Sequence, residues 1–370
     1  MPATDSNDRF ALHRNSSEVS IDEHVRGRSI ALGEWVMARE RIYLDKCFWI
    51  HLRDARTNKS DHPSARLLLS SLTRGVREGR QVCPISDALF LELLKQMDLG
   101  SRAATAELID ELSCGVTLVP HPTRVATEVA HFLHAAANHS VHALEHLVWS
   151  KVTNVLGVQH PVANVFPPEE QLVIQKAFFD HMWDIPLSKM LHVIGNASPP
   201  KSSYPGLASR LNRENAEHAP GMKSFAQVYR DEINGSLELA APVACDVMQD
   251  MASKAARRPI AESEGERDVA FKLALAFLRA AMNKPVAKRA LRTLHLGALL
   301  HAATRWNRTQ KLDANDLFDF HHAEAALGYC DVFLTDGPMH SLLTQKHLEI
   351  ERDFPCRIIS SVESAARSCC

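Results

Sequence analysis

The chain of 370 residues carries 42 basic and 44 acidic side chains, and 45% of its residues are hydrophobic. This near-neutral, ordinarily apolar composition excludes whole-chain disorder, and it excludes attraction to nucleic acid or membrane through net charge, so any such attraction must come from a local patch. Its 15 glycines fall well short of the ~7% average, which disfavours architectures built on many tight turns or glycine-rich phosphate loops.

Residues 1–25 are polar and aperiodic and read as a flexible leader without the apolar core of a signal peptide. Arg41 to Asp45 predicts a short strand ending in an acid, and Cys47 to Leu52 starts a helix directly after it. Ala65, Leu68, Leu69, Leu72 and Val76 line one side of a helix over Pro63–Val76. Gln81 to Ile85 reads as a second strand, Ser86 as the cap of a helix to Met97, and Gly115 to Pro120 as a third strand before a long helix from Thr123. Strand–helix alternation of this kind favours a parallel sheet flanked by helices.

From about residue 140 to 265 the pattern is helical, interrupted by turn-rich stretches such as Asn196–Gly206, and shows no strand. Long helices follow over about 266–283 and 286–306, broken near Pro285. Alternation then resumes with a helix over Asp316–Leu327, a strand over Asp331–Thr335, a helix over Met339–Arg352 and a last strand over Cys356–Ser360. The expectation is one α/β domain whose halves, 26–135 and 311–370, are split by an all-helical insertion over 136–310. No run of 18 apolar residues spans a membrane. The cysteines are scattered without C-x-x-C spacing, which points to a reducing cytoplasm.

Asp45 and Asp336 fall at or just beyond the carboxyl ends of predicted strands, Asp319 in the first turn of the helix leading into the strand 331–335, and Glu92 in the helix after the second strand. Ligand sites of open α/β sheets lie outside those strand ends. Clustered carboxylates need a cation between them, and hard oxygen ligands suit Mg²⁺ or Mn²⁺ and phosphoryl chemistry. Each acid also has an ordinary reading. Asp316 can cap its helix with Asp319 favouring the dipole, Asp45 can serve a turn, and Glu92 can be a solvated helix residue. Against the last reading of Asp45, it interrupts the apolar run from Tyr43 to Ile50, where an unpaired carboxylate is costly.

Leu44-Asp45 before a helix, Ile85 to Glu92, and Asp319-Phe-His-His-Ala-Glu-Ala-Ala326 running into Val332 to Asp336 together resemble the PIN-domain ribonucleases. The resemblance covers about residues 40–130 and 310–362. It implies a PIN-like parallel sheet and an endoribonuclease that hydrolyses phosphodiester bonds, mostly in single-stranded RNA, through a carboxylate-bound Mg²⁺ or Mn²⁺. By resemblance, Asp45, Glu92, Asp319 and Asp336 are the metal-binding and catalytic acids, with Asp316 in reserve. Asp336 stands one position before the family's usual fourth acid, where this chain has Gly337. The alternative is a non-catalytic PIN-like module that binds RNA or a protein, and an inhibitory protein partner is a further expectation.

No acid occurs between Asp268 and Asp313, whereas Lys272, Arg279, Lys284, Lys288, Arg289, Arg292, Arg305, Arg308 and Lys311 do. Such a segment can guide a phosphate backbone, with Lys288, Arg289, Arg292, Arg305 and Arg308 as RNA contacts, or it can pair with acids elsewhere in the fold. His131, His134, His139, His142 and His146 have spacings open to zinc but read better as packed or surface histidines. Trp149, Trp183 and Trp306 read as core anchors.

Overall fold

The structure is a computed structural model and describes residues 6–59, 61–162, 165–195, 203–257, 264–308 and 310–369. Cys370 and most of the turn-rich stretch 196–206 lie outside the described residues. The chain forms two units, one from Met1–Pro120, Glu145–Pro199 and Ser360–Cys370, the other from His121–Leu144 and Pro200–Ile359. This division differs from a domain interrupted by an insertion over 136–310. Residues 145–199 belong to the first unit and residues 121–135 to the second.

In the first unit, β1 (Glu40–Leu44) pairs in parallel with β2 (Gln81–Val82), with Glu40 opposite Gln81 and Arg41 opposite Val82. Ile42, Tyr43 and Leu44 are wholly buried in sequence, the pattern of a strand covered on both faces. Helix Lys46–Arg56 follows at once, and its buried Phe48, Trp49, Leu52 and Ala55 recur at helical spacing. Helix Pro63–Arg77 opens on a proline whose missing N–H costs nothing at that position, and it buries Ala65, Leu68 and Leu72 on the way back to β2. Ile85 bridges in parallel to Thr117 of β3 (Val116–Leu118).

Two features of this unit depart from the sequence expectations. Residues 6–25 contain helix Ser6–Arg14 and the start of helix Ile21–Met37. Ser20 and Glu23 close a reciprocal capping box on the second of these, satisfying backbone N–H groups at its start. Gly33 of that helix lies against the backbone of His146, where an added Cβ would meet the His146 Cα and carbonyl oxygen at 2.5 Å. The stretch after residue 140 also holds a strand, β4 (Trp149–Lys151), antiparallel to β3 with Trp149 opposite Leu118. Three residues are too few to show alternation. Trp149 and Trp183 are buried as expected, but Trp306 is 37% exposed.

The second unit is mostly helical. Helix Phe225–Ala256 turns small residues, Ala240, Ala241 and Ala244, into a core shared with Ala274 and Leu278 of helix Glu264–Ala281. Helix Arg292–Trp306 is buried along almost its whole length, as an all-round apolar helix must be. Glu128 of helix His121–Ala136 is wholly buried. It accepts hydrogen bonds from the Thr293 N–H at 3.0 Å, the Thr293 hydroxyl at 2.5 Å and the Tyr329 hydroxyl at 2.5 Å. Helix Ala314–Tyr329 leads into β5 (Val332–Leu334), which pairs in parallel with β6 (Arg357–Ile359). The single helix expected over 339–352 is instead two, Gly337–Leu343 and Ile350–Asp353, the second preceded by Glu349 at φ 51°. The fold is thus mixed α/β, helix-rich with short parallel strand pairs. No helix among the described residues is long and apolar enough to cross a membrane.

Candidate functional site

Asp45 follows β1 and caps helix Lys46–Arg56, its carboxylate accepting the Lys46 N–H. Glu92 projects from helix Asp87–Leu94. Ser86 precedes that helix without a side-chain capping bond, because its hydroxyl is engaged with the Tyr43 hydroxyl at 2.6 Å. Asp45 and Glu92 are only 6% and 5% exposed, and a carboxylate oxygen of one lies within 4.8 Å of one of the other. Two acids 47 residues apart in sequence are therefore neighbours in the first unit.

Positive groups attend them. The Lys46 ammonium is 3.3 Å from Glu92 Oε1. Lys95 stands near both; burial pulls its ammonium below the usual lysine range, Glu92 opposes that shift and Lys46 adds to it. Neither lysine figured among the expected site residues. Lys46 is adjacent to Asp45 in sequence, and Lys95 is three residues after Glu92, so each was readable by position.

The remaining acids belong to the second unit. Asp313, not Asp316, is the N-cap of helix Ala314–Tyr329, and Asp316 occupies the third helical position of its capping box. The Asp313 N–H donates to Asp316 at 2.7 Å. Burial raises the Asp316 carboxyl, and the nearby charges of Asp313 and Asp336 add to the rise. Asp319 lies in the second turn of the helix rather than the first, half-buried. Asp336 caps helix Gly337–Leu343 and accepts the Met339 N–H at 2.8 Å. Gly337 opens that helix with clear space where a Cβ would be.

The basic segment is partly committed within the second unit. Arg279 pairs with Glu238 and Arg305 with Glu232, both at 2.6 Å, and Arg289 lies 3.5 Å from Asp353. Arg292 donates to the Gly328 carbonyl at 2.8 Å and lies over the Tyr329 ring. Arg308 donates to the Met222 carbonyl at 3.1 Å, and the Lys288 ammonium sits 5.3 Å from the Tyr229 ring centre. Lys272, Lys284 and Lys311 are exposed. Of the five histidines, His131 contacts the His142 carbonyl at 3.0 Å, and His134 and His139 meet through their Nδ1 atoms at 2.9 Å. Among the described residues these five form no three-ligand group.

Comparison with known proteins adds no identification: no protein-family model, no curated protein and no solved structure matches this chain.

Proposed function

We propose that this chain is a divalent-metal-dependent endoribonuclease acting on phosphodiester bonds of single-stranded RNA. The observation that carries the reading is the Asp45–Glu92 pair, two buried carboxylates with oxygens within 4.8 Å beyond the end of a parallel strand. The pair supplies hard carboxylate oxygens. It fits Mg²⁺ or Mn²⁺, which bind through one or two carboxylates together with waters and substrate phosphate. When bound, such an ion lowers the pKa of a coordinated water and neutralises charge on the phosphoryl oxygens.

Asp45 and Glu92 hold the ion. Lys46 and Lys95 supply positive charge to a phosphate entering beside them. The PIN resemblance assigns ligand roles to Asp319 and Asp336 as well, with Asp316 in reserve, and Asn variants at each position test those roles separately. Among the described residues the cysteines are free of disulfides, five of them buried, which supports action in a reducing cytoplasm, where a protein inhibitor restrains the activity.

The test is cleavage of single-stranded RNA in Mn²⁺ with and without EDTA. EDTA-sensitive cleavage by the wild type, absent in Asp45→Asn and Glu92→Gln, is the expected result. Binding of RNA without cleavage leaves a non-catalytic module instead.

A further inference from the structure

Away from Asp45 and Glu92, two groups of side chains converge as metal ligands do. In the first unit, Asp180 accepts from His13 at 2.9 Å and from His24 at 3.0 Å. Arg28 lies 3.5 Å from the same carboxylate, and the buried Lys176 acts on His13. Those cations already neutralise the acid and would repel an ion, so that group is a hydrogen-bonded brace. The second group lies in the second unit, and there the carboxylate pairs with two imidazoles.

We infer that His121, His321 and Glu324 form a transition-metal site of the zinc type, with an open coordination position. His321 and Glu324 are three residues apart on helix Ala314–Tyr329 and so share a face. His121 is the first residue of helix His121–Ala136. Both imidazoles approach the same carboxylate oxygen: His121 Nε2 and His321 Nδ1 each lie 3.1 Å from Glu324 Oε2. All three ligand atoms fall within 4.8 Å of one another. With metal–ligand bonds of ~2.0–2.1 Å, neighbouring ligand atoms around a tetrahedral ion stand about 3.3 Å apart, close to the two 3.1 Å contacts that Glu324 makes. One carboxylate and two imidazoles are a ligand set that suits zinc.

The protein reserves room for the carboxylate. Gly297 stands in the buried helix Arg292–Trp306, and a Cβ there would lie 2.6 Å from Glu324 Oε1. Burial is graded across the site: the Glu324 side chain is 5% exposed, against 30% for His121 and 26% for His321. The carboxylate anchors the inner side, and the histidine side opens toward solvent. Three protein ligands with an exposed fourth position is the pattern of zinc sites that keep a water or take up an oxygen ligand.

Zn²⁺ binding to the metal-free full-length chain tests this, measured by calorimetry in excess Mg²⁺ so that the hard-oxygen acids are occupied. The wild type should bind one more equivalent of Zn²⁺ than His121→Ala, His321→Ala or Glu324→Gln. Affinity for that equivalent should fall about 100-fold or more, beyond the 10–100-fold range of outer-shell losses. Gly297→Ala should weaken it by displacing Glu324. Glu324→Gln is nearly isosteric and keeps a hydrogen-bond acceptor for the imidazoles, so an unchanged melting temperature without metal shows that the loss is one of ligation. Co²⁺ should give a low-symmetry visible spectrum in the wild type that Glu324→Gln lacks. Equal Zn²⁺ stoichiometry and affinity in wild type and Glu324→Gln, or no Zn²⁺ bound by the wild type at micromolar concentration, overturns the site. Neither result bears on RNA cleavage at Asp45.

Discussion

Asp45 serves local structure and the proposed chemistry with the same carboxylate. It caps helix Lys46–Arg56 while lying within 4.8 Å of Glu92. Asparagine caps a helix about as well as aspartate, and it removes one of two neighbouring negative charges. Asp45→Asn should therefore abolish metal-dependent cleavage while the melting temperature stays level or rises; wild-type turnover would remove Asp45 from the ligand set. His295 gives a second residue-scale prediction. Burial, with Lys288 and Arg352 adding repulsion and Asp353 opposing it, pulls its pKa down to about 3, while its Nδ1 lies 2.8 Å from the Tyr229 hydroxyl. The folded state thus binds fewer protons than the unfolded one between pH 3 and the unperturbed value of about 6.5. Its contribution to stability is complete above about pH 6.5 and is lost as pH falls toward 3, with a limiting slope of about 1.4 kcal/mol per pH unit. Denaturant titrations from pH 7 to 4 should show a shallower loss in His295→Gln than in wild type, and equal slopes would place the acid sensitivity elsewhere. Asp45 was legible because a charge broke an apolar run. The His121–His321–Glu324 triad was not, because residues 200 positions apart leave no pattern until two helices bring them together.

Among the elements, helix Pro63–Arg77 was readable from its five-residue apolar stripe and helix Asp87–Leu94 from a serine followed by leucines and a phenylalanine. Helix Ile21–Met37 was not, since it buries only Leu32, Gly33 and Val36. Its start is nonetheless written in Ser20-x-x-Glu23, a capping signature that polarity alone obscures. The strand Trp149–Lys151 exists because tertiary pairing with Val116–Leu118 makes it one. In the second unit, Glu128 joins helix His121–Ala136 to helices Arg292–Trp306 and Ala314–Tyr329 through Thr293 and Tyr329. Burial raises its carboxyl, while these donors and the fully buried Arg124 pull the other way. Truncating it removes the acceptor of the Thr293 and Tyr329 hydrogen bonds and the negative charge that acts on Arg124. Glu128→Ala should therefore cost about 2–6 kcal/mol, at about 1–3 kcal/mol for each buried hydroxyl left unmet. Chemical denaturation measures it, and a loss under about 1 kcal/mol would mean that water replaces the carboxylate.

At the scale of the whole molecule, a net charge of −2 leaves RNA to be drawn by local charge, and the basic segment from Lys272 to Lys311 is the largest concentration of it. The segment divides by what its residues already do. Arg305 and Arg292 are held by Glu232 and by the Gly328 carbonyl, so neutralising either loosens the second unit as well as removing charge. Arg289 is about half exposed, and its 3.5 Å ion pair reaches the largely buried side chain of Asp353, which Arg352 also approaches at 3.4 Å. The Lys288 ammonium lies over the Tyr229 ring. The pair Lys288→Gln, Arg289→Gln therefore tests guidance of the phosphate backbone with little structural cost. If both residues neutralise phosphates, the plot of log affinity against log salt for single-stranded RNA should flatten by about 1.4, from about 0.7 per phosphate. KM should rise while kcat holds, since this binding is shared by ground state and transition state. An unchanged salt slope in the double variant would assign the segment to helix packing and surface ion pairs, leaving Lys46 and Lys95 beside Glu92 to attract the phosphate.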